Sequence, residues 1–286
     1  MNGTLSNSRL ARIINYYDKT EGHYRLLWDL DKSLAIHYGF WDSKVKSLRQ
    51  ALQRENQVLS KIAKIKKEDL VLDAGCGVGG SSIYLAKNIG CKVVGITLSP
   101  KQQAAATINA KQAGLEHLIH FEIKDYTQTH FKNNSFDVVW AIESVCYANS
   151  KERFIKEAFR ILKKEGRLVV ADFFTTKNEL NIEERKLMSG MAHGWAVDSF
   201  ESSSNFKKYL TKTNFNNISM FDVTKKVLPS AKKLYYYSLP SLSLGKLLEW
   251  IGIRKKVHKD NIWTAYYQWK AVQKNLWHYC IFYATK

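Results

Sequence analysis

Apolar and polar positions alternate in blocks along the middle of the chain, and each block has the length of one element. Residues 70–72, 92–96, 118–123, 136–142 and 166–172 are short runs rich in Val, Ile, Leu and aromatics. Polar turns bound them, and they read as buried strands. Between them lie segments with helical spacing: residues 81–86 and beyond, 100 to about 113, and 152–163. Pro100 suits the first turn of its helix, and Gly114 suits the residue just past the end. Strands alternating with helices predict an α/β fold, a parallel sheet covered by helices on both faces. Upstream, residues 47–65 place Leu48, Leu52, Val58, Leu59 and Ile62 on one side of a helix, and residues 13–19 and 26–34 carry shorter helical patterns. Downstream, residues 200–210 read as a helix, 218–223 as a sixth strand, 261–272 as a helix and 276–284 as a last strand. Residues 173–198 show no clear strand, and 188–195 within them read as a substrate-side insertion or lid. The expected layout is one domain over 1–286: a helical cap at 1–67, a core at 68–176, and the insertion with the last two strands at 177–286.

The densest signal sits where the first core strand ends. Asp73-Ala74-Gly75-Cys76-Gly77-Val78-Gly79-Gly80 sets four glycines between an apolar strand and a helical pattern. Glycines there let the backbone bend sharply and approach a ligand closely, because no Cβ intervenes. Gly75, Gly77 and Gly80 fit the dinucleotide fingerprint Gly-x-Gly-x-x-Gly. That fingerprint also needs an acidic residue about 20 positions on, at the end of the second strand. Here the second strand ends in Thr97-Leu98-Ser99, with no carboxylate. An acid instead precedes the glycines, at Asp73, where a carboxylate suits a cationic ligand better than a pyrophosphate.

Asp-x-Gly-x-Gly-x-Gly after an apolar strand resembles motif I of the class I S-adenosylmethionine-dependent methyltransferases. Gly95-Ile96-Thr97-Leu98-Ser99-Pro100-Lys101-Gln102 is similar to the second-strand signature of one branch of them. That branch contains sterol C-methyltransferases, tocopherol methyltransferases and cyclopropane fatty-acid synthases. The resemblance implies S-adenosylmethionine as cofactor. It also implies a Rossmann-like, doubly wound, seven-stranded, mostly parallel sheet with a helical N-terminal cap and a C-terminal substrate lid. Asp73, Gly75, Gly77 and Gly79 would hold the cofactor, while Thr97, the Leu98 backbone and Gln102 take over ribose contacts. Asp125, followed by Tyr126, would meet the adenine amino group, and Ala141 in the fourth strand would line the same site. In the cap, Tyr17-Asp18 and His37-Tyr38-Gly39-Phe40-Trp41 resemble elements that close over the cofactor. Tyr17, His37 and Tyr38 are therefore cofactor or substrate candidates, with ordinary helix packing as the alternative. For Trp28 and Trp41 packing is the preferred reading. Before the fifth strand, Lys163-Lys164-Glu165-Gly166 stands where the family usually has Lys-Pro-Gly-Gly, a changed turn.

Methyl transfer from a sulfonium is an in-line displacement, to which side chains contribute proximity, orientation and sometimes a base. Glu143, just past the fourth strand, matches the acidic position of the branch's Ile-Glu-Ser or Ile-Glu-Ala element. It is a candidate base or cation stabiliser, or else it holds the cofactor loop or a lysine. Those families place a His four residues later; this chain has Tyr147 there, which can donate a hydrogen bond or face a cation with its ring. His193 is a candidate replacement base from the lid, or a structural histidine. No metal is expected, because His and Cys lack ligand spacing.

Composition bears on the acceptor. The chain holds 15 Tyr, 13 Phe and 8 Trp, concentrated in the cap and the C-terminal third. Such a composition leans toward a small lipophilic acceptor. Isoprenoid, terpenoid, prenyl diphosphate and sterol-like lipids fit, as in terpenoid or lipid biosynthesis. C-methylation is favoured, and O-methylation of a phenol or prenylated quinol is the alternative. Net charge is +18, from 44 basic and 26 acidic residues. Beside plain solvated surface, that charge suits an anionic head such as a diphosphate, or contact with an anionic membrane surface. Residues 234–253, apolar, aromatic and basic-flanked, read as a pocket wall or a membrane-surface segment. A nucleic-acid partner is not expected, since no RNA-binding module and no Asn-Pro-Pro-Tyr-like element is present. No apolar run reaches the length of a spanning helix, and residues 1–12 lack a signal core. The four cysteines read as free thiols in a reducing cytoplasm. Monomer and homo-oligomer both remain open.

Overall fold

The computed structural model describes residues 11–14, 16, 30–250 and 259–286. Seven strands form one sheet: β1 Leu70–Ala74, β2 Lys92–Thr97, β3 Ile119–Ile123, β4 Phe136–Ile142, β5 Leu162–Thr175, β6 Asn216–Asp222 and β7 Trp277–Thr285. Their order is β3-β2-β1-β4-β5-β7-β6. β1 to β5 run parallel, and β7 lies antiparallel between β5 and β6. The expected Rossmann-like, mostly parallel sheet is what forms. The strand order reverses between β1 and β4, and ligands in such sheets bind in the crevice beyond the strands' C-terminal ends at that point.

Eight labelled helices accompany it: α1 Leu48–Ile62, α2 Gly80–Ile89, α3 Pro100–Gln112, α4 Lys151–Ile161, α5 Ile182–His193, α6 Ser203–Lys212, α7 Thr224–Trp250 and α8 Lys259–Gln273. Their starts are local chemistry. Ser47, Ser99, Ser150 and Ser202 each cap a helix by accepting a backbone N–H, and Asn181 with Glu184 forms a capping box on α5. The inner strands β1, β4 and β5 are apolar on both faces, so both faces of the sheet are covered. Val71, Val93, Trp140 and Val169 face one layer, with Leu59 of α1, Leu85 of α2, Ala110 of α3 and Met191 of α5. Leu72, Val139, Ala141 and Val170 face the other, against Phe154 and Ile155 of α4 and Phe206 of α6.

Two expectations change. β5 continues through Phe173 and Phe174 to Thr175, where no strand was expected, because β7 extends the ladder as far as Thr175 opposite Trp277. The expected lid, 188–195, begins as the C-terminal half of a regular helix, α5, which packs on α8. Residues 163–166, expected as a changed turn before the strand, lie within β5, with Glu165 in the left-handed region, φ 61°. Segment 234–253 falls largely within α7, whose described part exposes Tyr236 and Tyr237 with the Lys232 and Lys233 ammonium groups over their rings. Tyr17 and Trp28 lie outside the described residues. No helix among the described residues is long and apolar enough to cross a membrane.

Candidate active site

The turn from β1 into α2 is shaped by its glycines. Gly75 has φ 94°, and a Cβ on it would overlap the side chain of Ser144. That packing is fixed, because the Ser144 hydroxyl donates to the Ala74 carbonyl at 2.6 Å and ties the end of β4 to the end of β1. Gly77 has φ 53°, yet a Cβ there would meet nothing within 4 Å. A backbone this strained for other residues, beside open space, is what a turn needs if a ligand lies against it. Gly79 is the N-cap of α2, whose free N–H groups and positive dipole end open on the same turn.

Asp73 ends beneath this turn, 3% exposed, and Ser82 of α2 donates to its Oδ2 at 2.6 Å. Burial pushes its carboxyl up to about 6, against the lowering effects of the Ser82 hydrogen bond and nearby His37. Protonation therefore competes with any bound cation. Affinity for S-adenosylmethionine should fall as pH drops below about 6, approaching about tenfold per pH unit. Calorimetry across that range checks this, and Asp73→Asn should flatten the dependence.

At the end of β2, the Thr97 hydroxyl donates to Gln102 Oε1 at 2.7 Å, and the Ser99 hydroxyl accepts from the Gln102 backbone at 3.3 Å. The structure thus brings the two expected ribose residues together, and Leu98, between them in the chain, is half-buried. Each substitution, Thr97→Ala or Gln102→Ala, should weaken cofactor binding several-fold to about tenfold. Unchanged affinity in both variants would show that the register is wrong. Asp125 is exposed past β3 and accepts from the backbone and hydroxyl of Thr127, both at 2.7 Å. Tyr126 is buried, and its hydroxyl donates to the Ser144 carbonyl at 2.7 Å. Ala141 is fully buried in the layer beneath α4.

Glu143 follows β4 with φ 46°, a strained conformation for a residue bearing a side chain. Its Oε1 accepts from the Tyr38 backbone N–H at 2.8 Å and lies 3.1 Å from the Tyr279 hydroxyl. It holds the cap loop rather than a lysine. Burial first, then the charges of Glu55 and Asp172, keep its carboxyl well above the ordinary range, while the two donors pull the other way. Asp172, on β5, is itself pushed up to about 6 by burial, and accepts from the backbone of Cys146 and Phe173, each at 2.8 Å.

The cap loop is fastened from several sides. His37 Nδ1 lies 2.6 Å from Glu55 Oε2 in α1. The Tyr38 hydroxyl donates to Gln268 of α8 at 2.9 Å, and its carbonyl accepts from Ser230 of α7 at 2.6 Å. Trp41 donates through its indole to the same Ser230 at 2.8 Å, so it is a packing residue as expected. An ion pair joins Arg12 to Asp198, just past the lid. Tyr147 and Cys146, after β4, pack with Ala192 and Trp195 of the lid and with Val197 beyond it, while His193 is exposed at the end of α5. Sequence reasoning missed Glu55, Tyr279 and Gln268. Glu55 carried a readable signal, since it interrupts the apolar stripe of Leu48, Leu52, Leu59 and Ile62.

Comparison with known proteins gives the class. Residues 72–170 match the family model described as a methyltransferase domain. The chain is 28% identical over 267 residues to norajmaline N-methyltransferase of Rauvolfia serpentina, covering 88% of this chain and 87% of that one. It is 28% identical over 229 residues to sterol 24-C-methyltransferase of Kluyveromyces lactis, covering 77% of this chain and 60% of the relative. Among solved structures, geranyl diphosphate C-methyltransferase from Streptomyces coelicolor A3(2) superposes with a TM-score of 0.72 at 17% identity, covering 97% of each chain. The protein is a methyltransferase that uses S-adenosylmethionine. A probable tocopherol O-methyltransferase of Oryza sativa subsp. japonica is 27% identical over 258 residues, 85% of this chain and 70% of that one, so the resemblance to the sterol and tocopherol methyltransferase branch holds.

Proposed function

We propose that the chain methylates a small lipophilic acceptor of isoprenoid or related lipid type, at carbon. The observation that carries this is the placement of Glu143 beside an aromatic cluster. Phe173 has ring centroids of Tyr38, Trp195, Trp277 and Tyr279 at 5.2, 5.3, 5.2 and 4.9 Å, and Tyr38 and Tyr279 both hydrogen-bond Glu143. Ring faces and one carboxylate suit an acceptor that passes through a cation. The names of relatives on record also include carbon acceptors, a sterol and geranyl diphosphate among them.

S-adenosylmethionine supplies an electrophilic methyl group when bound. Asp73, the Gly77 turn, Thr97 and Gln102 would hold it, and the open space at Gly77 and the buried Asp73 carboxyl fit a cationic ligand of that kind. His37 and Tyr38 would close over it from the cap. Closed over a bound cofactor, the cap loop and lid would exclude water, which strengthens every charge interaction inside. The acceptor's double bond would form the new C–C bond as the methyl–sulfur bond breaks and a neutral thioether leaves, placing positive charge on the neighbouring carbon. The Glu143 carboxylate would face that charge and take the adjacent proton, restoring a double bond. For a phenol or quinol the same carboxylate would take the hydroxyl proton, so O-methylation is the competing outcome. Tyr147 and His193 are the next candidates for a base. The test is incubation with isotopically labelled S-adenosylmethionine and a panel of prenyl diphosphates, sterols and quinols. A C-methylated isoprenoid is the expected product. Labelled nitrogen or oxygen products alone would overturn carbon as the acceptor.

A further inference from the structure

One buried acid has no part in the chemistry above. Glu55 stands 1% exposed in the middle of α1, between Leu52 and Leu59 on the buried stripe. An ionisable side chain in such a place needs partners for each oxygen. Its Oε2 meets His37 Nδ1 at 2.6 Å, and its Oε1 accepts from the Tyr279 hydroxyl at 2.7 Å. The same hydroxyl lies 3.1 Å from Glu143 Oε1. A phenol has one proton to donate. What Tyr279 gives Glu55 it withholds from Glu143, and the shorter distance is to Glu55.

We propose that Glu55 is a positioning residue for Glu143: through its own charge and the shared Tyr279 hydroxyl, it sets the pH at which Glu143 ionises. This rests on the reading that Glu143 acts on the acceptor. Groups from several elements face that carboxylate. α1 contributes Glu55, with His37 of the cap loop behind it. β5 contributes Asp172, β7 the Tyr279 hydroxyl, the cap loop the Tyr38 N–H, and the turn after β4 the Cys146 thiol. Burial and the charges of Glu55 and Asp172 favour the protonated acid, whereas the Tyr38 and Tyr279 donors favour the carboxylate. Glu55 acts twice in the first direction, by its charge and by drawing off the phenol proton.

Two substitutions within one contact should therefore move Glu143 in opposite directions. Glu55→Gln removes a nearby negative charge and leaves an amide oxygen, a weaker acceptor that draws less on the phenol proton than a carboxylate does, so ionisation shifts down by about one pH unit. Tyr279→Phe keeps the ring and removes the donor, so ionisation shifts up. General loosening of the core would not produce opposite signs. The readout is an NMR titration of full-length protein carrying 13C at the glutamate side-chain carboxyls, with the Glu143 signal assigned by its loss in Glu143→Gln. The acid limb of the single-turnover rate, measured with the acceptor found in the panel, should move in step. An unmoved Glu143 titration in Glu55→Gln, or shifts of the same sign in both variants, overturns the proposal. Should Glu55→Gln fail to fold, Tyr279→Phe decides it alone: an upward shift supports the link and no shift overturns it. If instead the titrations move as expected but Glu143→Gln turns over like wild type, the catalytic reading falls, and the proposal with it, while the contact itself stands.

Discussion

Glu143→Gln should lower the single-turnover rate by about 100- to 10000-fold at saturating cofactor, with cofactor affinity little changed. That is the range a general base commonly contributes. The substitution is well matched to the geometry. An amide oxygen can still accept from the Tyr38 N–H and the Tyr279 hydroxyl, so the cap loop stays fastened. Only the charge is lost, and a charge that matters in the transition state shows in turnover rather than in binding. Glu143→Ala would lose both the charge and the hold on Tyr38, so comparing the two variants separates chemistry from cap closure. A Glu143→Gln rate within about threefold of wild type would remove this residue from the chemistry. Tyr147 and then His193 would be tested next.

Gly77→Val should abolish binding of S-adenosylmethionine while the chain stays folded. The φ of 53° at Gly77 is unfavourable for any side chain and worst for a β-branched one. Beyond its chain neighbours no protein atom lies within 4 Å of the added Cβ, so the damage falls on the turn's own backbone and on a ligand lying against it. Asp73→Ala should have the same outcome by another route, because it deletes the buried carboxylate under the turn. Calorimetry reads both, with circular dichroism as the check on folding. Tight binding of a nicotinamide dinucleotide, with none of the sulfonium cofactor, would sink the assignment. Micromolar affinity in Gly77→Val would show that the cofactor does not lie against that turn.

The sheet was legible because its signals are local. The inner core strands β1, β4 and β5 are apolar runs buried on both faces, and such runs read the same in any surroundings. The glycine turn was legible for a similar reason: positive φ at Gly75, Gly77 and Gly79 is a demand that sequence answers with one residue type. Thr97 and Gln102 lie five positions apart, and a strand end meeting a capped helix brings them into hydrogen bond without help from elsewhere. The end of β5 was not legible. Phe173 to Thr175 pair with Trp277 to Tyr279, about a hundred residues later, and nothing near them in the chain announces that ladder.

Sequence by itself determined the cofactor turn, the absence of a second-strand acid and the position of Glu143 at a strand end, since each depends only on neighbouring residues. Tertiary structure alone decided what surrounds Glu143. Glu55 comes from the first long helix, Tyr38 from the cap loop, Asp172 from the fifth strand and Tyr279 from the last. Glu55 and Tyr279, which hydrogen-bond to each other, stand 224 residues apart along the chain. A carboxylate's proton affinity is set by the charges and donors within a few ångströms of it, and those are chosen by packing, not by chain order.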